Sequence, residues 1–217
     1  MQPVGTETTP IFFGTWAEGP AWSTVKIPLA IAATRENPAT IVSSEVEAAI
    51  TESDNAAAEA LWESLGEPTT AAKKVKAVLA EAGNAPEVQS QRIRPGFSAF
   101  GQTVWSLADQ ARFAAHLACD PDDGQVLELM GQITASQRWG LGNLSDARFK
   151  GGWGPDPTGG YLVRQFGIIN APRGLVAVAM AAQPRSGSFD DGIQQLDAMA
   201  GWLSDRLDLL PAGRCAP

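Results

Sequence analysis

The chain changes texture once along its length, and that change is the strongest constraint on its fold. Residues 11–16, Ile-Phe-Phe-Gly-Thr-Trp, read as a short strand; a turn at Glu18-Gly19-Pro20 follows, and then a helix opening near Ser23. Residues 44–134 carry helical periodicity, with helices predicted over 44–50, 55–65, 69–82, 106–118 and 125–134 and the longest interruption at 83–102. Three strand-like stretches, 147–153, 160–170 and 175–182, are then separated by Gly/Pro turns. Phe189, Ile193, Leu196, Ala200, Leu203, Leu207 and Leu210 alternate four and three apart, which marks an amphipathic helix lying on a sheet. This order predicts an α/β (α+β) fold: one antiparallel sheet built from both ends of the chain, flanked by helices, with an all-helical insertion. A single domain over 1–217 is expected, its sheet part about 1–40 and 145–217 and its helical part about 41–144.

Composition narrows the function. A chain 44% hydrophobic and 18% charged describes a soluble globular protein with material for a real core. Its net charge of -8, with no basic cluster, argues against a nucleic-acid partner. No apolar run is long enough to span a membrane, and the first residues lack the basic-then-apolar layout of a signal peptide. One histidine, His116, sits in a helical run and reads as structural, so neither a zinc site nor a Ser-His-Asp triad is expected. Cys119 and Cys215 are compatible with one disulfide or with two unrelated thiols. No cofactor or metal is implied.

Serine chemistry without a histidine needs another base, and Ser23-Thr24-Val25-Lys26 offers one. A three-residue separation on a helix stacks the lysine on the serine's face. The apolar run from Ile27 to Ala33 supplies surroundings that lower an amine's pKa. The competing reading makes Ser23 a helix cap and leaves Lys26 in water. Two further clusters carry polar chemistry: Ser53-Asp54-Asn55 before an alanine-rich helix, and Lys150-Gly151-Gly152-Trp153 on the first late strand. Taken singly, these read as a helix start and a strand running into a turn.

In the order Ser-x-x-Lys, Ser-Asp-Asn, Lys-x-Gly, the three motifs resemble those of the penicillin-recognising serine hydrolases, class A β-lactamases and D,D-peptidases, over nearly the whole chain. The resemblance implies an acyl-enzyme at Ser23, formed with a β-lactam or a D-Ala-D-Ala-like peptide. Lys26 would be the base, Ser53 a proton relay, and Lys150 a second cation that depresses Lys26 and attracts an anionic substrate. Asn55, Gly151, Gly152 and Trp153 would bind substrate, with the backbone N–H groups of Ser23 and Trp153 as oxyanion hole. It also implies export to the periplasm, cell envelope or medium, and leaves the oligomeric state open.

Three departures qualify the expectation. Gly151 stands where the family has a hydroxyl residue. The loop before Ser106 lacks the family's deacylating glutamate, its single acidic residue from 83 to 105 being Glu87, which reads as solvated. The helical part is short. An alternative is therefore a non-catalytic cell-envelope binding module on the same fold. Trp22 and Trp153 flank the proposed pocket and read as packing residues.

Overall fold

The computed structural model describes residues 1–216. Its main sheet has the order β1-β6-β5-β4, all antiparallel, from β1 (Gln2–Pro3), β4 (Arg148–Pro155), β5 (Tyr161–Ala171) and β6 (Gly174–Ala182). The three late strands fall where their aliphatic runs predict them, and both ends of the chain do contribute. The N-terminal share is only β1, paired through Gln2 with Ala177 and Pro3 with Val176. A second, two-stranded sheet joins β2 (Glu18–Pro20) to β3 (Val104–Ser106).

The strand expected over 11–16 does not form. Those residues run irregularly, with Ile11, Phe12 and Phe13 exposed and the Phe13 ring 5.7 Å from that of Trp202. The sheet edge at β6 is already taken by β1, and residue 11 instead exchanges backbone hydrogen bonds with residue 1. Three adjacent apolar residues announce a wish for burial; they do not say that a free strand edge is within reach.

Period-two alternation on β5 sorts the two faces of the sheet. Arg164 and Phe166 face α5 (Leu107–Leu117), where Trp105, Phe113 and Phe166 form an aromatic cluster with centroids 5.5–6.0 Å apart. Val163 and Gln165 face the other way, toward α7 (Phe189–Ser204) and the turn at 139–141. Helix α1 (Lys26–Glu36) is buried at every position from Lys26 to Thr34 and so is enclosed all round rather than amphipathic. Helices α3 (Asn55–Ser64) and α4 (Pro68–Ala80) pack on it, with α2 (Ser44–Glu47) against α3. The helix expected over 125–134 is shorter, α6 spanning Gly124–Leu129 before a turn through Gly131.

Cys119 and Cys215 are joined, settling the alternative left open by their spacing. His116 lies in α5, its ring loosely facing Glu81 and Asp120 beside Arg35, away from the serine motifs.

Candidate active site

The turn that carries Ser23 is held by a buried polar lattice. Arg164, fully buried and without a carboxylate partner among the described residues, donates to the carbonyls of Gly19 and Pro20 at 2.9 Å each, to Trp105 O at 2.9 Å and to Gln110 Oε1 at 2.6 Å. Burial lowers its pKa to about 9. Gln110 in turn donates to Thr24 Oγ1 at 2.8 Å, and that hydroxyl donates to Ala21 O at 2.5 Å. Both sides of the turn that carries Ser23 are thus fixed, one to β5 and the other to α5. Trp22 accepts a left-handed conformation there, φ 49°, with its ring packed 5.2 Å from Phe97 and against Gly154. A non-glycine residue in that region is strained and persists only where its surroundings dictate it.

Ser23 and Lys26 lie on a 3-10 turn, Trp22–Val25, that runs into α1. In that tighter helix side chains three apart eclipse, so the spacing reads more strongly than on an α-helix. Among the described residues Ser23 Oγ has no hydrogen-bond partner and Ser23 is half-buried. Lys26, 1% exposed, donates to Ser53 O at 2.5 Å, Asp54 O at 3.1 Å and Asn55 Oδ1 at 2.8 Å. Burial lowers its pKa to about 7, against the opposing pull of Asp54 and Glu59.

Ser53 ends a π-helical turn, Ala48–Glu52, and adopts a left-handed conformation, φ 60° and ψ 28°, before Asp54 caps α3 through Ala57 N. That kink turns its carbonyl to Lys26 and its hydroxyl to Lys150, whose amine donates to Ser53 Oγ at 2.9 Å and to Gly151 O at 3.3 Å. Lys150 is fully buried. Burial first, and the charge of Lys26 second, push its pKa well below the ordinary lysine value. Burial is the leading cause at both amines, and the two repel one another across Ser53.

Strand β4 closes the site from its edge position. Gly152 is required there: a β-carbon would lie 2.9 Å from Ala21 O, Ser23 N and Thr24 N. The strand backbone therefore presses directly on the turn carrying Ser23. Gly151 points to the other face, where a β-carbon would meet the Trp139 ring at 3.2 Å. An indole occupies the direction that a hydroxyl residue would take. Trp139 is positioned by Gln165, which donates to its carbonyl at 2.7 Å and accepts from Leu141 N at 2.8 Å. Trp153 joins it, 5.9 Å from Trp139 and 5.5 Å from Phe189, so its side chain packs in an aromatic cluster. Sequence reasoning missed Trp139, Gln165, Gln110 and Arg164, since nothing local marks a residue whose partners lie on other elements.

Ser23, Lys26, Ser53, Asn55, Lys150 and Gly152 are thus brought together. Glu87 is not among them: it is 87% exposed and ion-paired with Lys76. A cavity of about 830 Å³ between residues 10–16, β6 and α7 includes none of these residues and is lined chiefly by apolar groups such as Phe12, Phe13, Val178 and Met199.

The fold is that of the penicillin-recognising serine hydrolases, in the form of the class A β-lactamases. Among solved structures, TLA-1 extended-spectrum β-lactamase is similar at TM-score 0.72 and 15% identity, over 93% of this chain and 90% of that one. TLA-3 extended-spectrum β-lactamase gives 0.69 and 16% over 88% and 85%, and the ancestral GNCA class A β-lactamase 0.58 and 19% over 85% of each. Such identities show the fold. No protein-family model and no curated protein matches the chain.

Proposed function

We propose that this protein is an acyl-serine hydrolase that forms an acyl-enzyme at Ser23 with a β-lactam or a D-Ala-D-Ala-like peptide. The observation that carries this is the convergence of two buried lysine amines on Ser53, one of them on the turn that carries Ser23. Buried amines without an ion partner cost stability, and groups perturbed in this way gather where chemistry is done.

The steps follow from the contacts. Lys26, whose pKa burial lowers to about 7, takes in its neutral form the proton of Ser23 Oγ as that oxygen attacks the substrate carbonyl. The N–H groups of Ser23 and Trp153 stabilise the oxyanion between the turn and β4. Ser53, which can donate and accept at once, passes a proton to the leaving nitrogen and is resupplied by the lysines around it. Asn55 is held by Lys26 and offers its amide nitrogen to the substrate. The alternative, a binding module without turnover, draws on the Trp139 ring beside Gly151; the two buried amines weigh against it. The disulfide fits export to an oxidising compartment.

Intact-mass measurement after incubation with benzylpenicillin tests the reading. An adduct of the substrate's mass is expected on the wild type and none on Ser23→Ala. Folded protein that gains no mass with any of several penicillins and cephalosporins sinks the proposal.

A further inference from the structure

An acyl-enzyme is released only if a water is activated, and the loop preceding β3 supplies no free carboxylate for the purpose. We infer that Glu59, on α3, is the base that activates the deacylating water, an assignment that rests on the acyl-enzyme reading above.

Glu59 lies four residues, one helical turn, beyond Asn55. Side chains so spaced are neighbours, about 5–6 Å apart at Cβ, and Asn55 Oδ1 already touches the Lys26 amine at 2.8 Å. Its charge is one of two that act on Lys26. The other, Asp54, spends an oxygen capping α3 at Ala57 N, 2.7 Å away. Glu59 is differently disposed. Oε1 is held by Arg92 at 3.0 Å, and Oε2 has no partner among the described residues. Its side chain is 27% exposed, open enough to meet water and covered enough to be oriented. Arg92 belongs to the stretch at 83–102 whose lack of a usable glutamate posed the problem, so the loop contributes the clamp while the helix contributes the carboxylate.

The step balances. Glu59 Oε2 accepts a proton from water as the water oxygen bonds to the acyl carbon of the Ser23 ester. The tetrahedral intermediate then collapses, its bond to Ser23 Oγ breaks, and the proton returns to that oxygen through Lys26. Free serine and a carboxylic acid result, with no other reactant.

Benzylpenicillin, rapid quenching and intact-mass detection provide the test, on wild type, Glu59→Gln, Glu59→Ala and Arg92→Met. Adduct formation should stay within about threefold in all four, while its decay in the two Glu59 variants slows by about 100-fold or more. Added formate should speed decay in Glu59→Ala and leave the wild type unchanged, a rescue that a purely structural role would not show. Arg92→Met should retain most of the wild-type decay, since the carboxylate remains. Decay of Glu59→Gln at the wild-type rate overturns the inference. So does persistence of the adduct in Arg92→Met equal to that in Glu59→Gln, or a wild-type adduct that never decays; in each case the acyl-enzyme reading itself survives. Absence of any adduct, wild type included, overturns both.

Discussion

The amine of Lys150 donates to the hydroxyl of Ser53 at 2.9 Å, a contact that spans 97 residues and ties β4 to the start of α3. Lys150 is fully buried, and among the described residues no acid pairs with it. Replacing such a group by an apolar one of similar length removes a desolvation penalty. Lys150→Met should therefore raise stability, by about 1–3 kcal/mol in denaturant titration, while slowing acylation by about 100-fold or more in stopped-flow mixing with a chromogenic cephalosporin. A variant both less stable and fully active would contradict this account of the amine.

Lys26 sets a pH dependence of its own. With its pKa near 7, the rate of acylation should rise about tenfold per pH unit below 7 and level off above it. Stability should move in the same sense for a different reason. The native lysine releases its proton near 7 and the unfolded one near 10.5, so between those values the unfolded chain binds more protons and unfolding becomes harder as pH rises. Below 7 both states are charged and this dependence is lost. Thermal unfolding at pH 6 and pH 9 checks it, and Lys26→Met should flatten the difference, leaving only the part owed to Lys150.

Two adjacent glycines should respond unequally to the same methyl group. Gly152→Ala forces a carbon to 2.9 Å from three backbone atoms of the serine turn. It should destabilise by about 1–3 kcal/mol and cut acylation at least tenfold. Gly151→Ala meets an indole that can shift slightly and should change either quantity little. Equal effects at both positions would refute the geometry of β4.

Arg164→Met removes the donor shared by three carbonyls and Gln110. The abandoned acceptors are buried, and a loss of about 3–5 kcal/mol in urea titration is expected. Restored stability without restored acylation, in a second-site revertant, would separate the fold from the shape of the turn.

The late strands and the interior helices were legible because each is a local pattern, alternation or periodicity; the three motifs stood out only through their order and its resemblance to a family, while the contacts that join Lys26, Ser53 and Lys150 were not legible. Residues 11–13 misled for the converse reason, since their pairing depended on whether Gln2 and Pro3 had already filled the edge of β6. Ser53 was recognisable, but its left-handed backbone, which splits its two oxygens between two lysines, was not. Arg164 and Gln165 looked like neighbours on one strand and proved to serve opposite faces, one bracing the serine turn and the other Trp139. Glu59 had a faint signal, one turn from Asn55 on the same face.

The bond between Cys119 and Cys215 has a mechanical consequence. Tension applied at the C-terminus would reach the body of the protein at the end of α5, bypassing α7 and the 3-10 turn Leu207–Leu209. The last helix, which would otherwise peel first, is relieved of load, and a pull on the tail is borne by the helix that supplies Gln110 to the turn of Ser23.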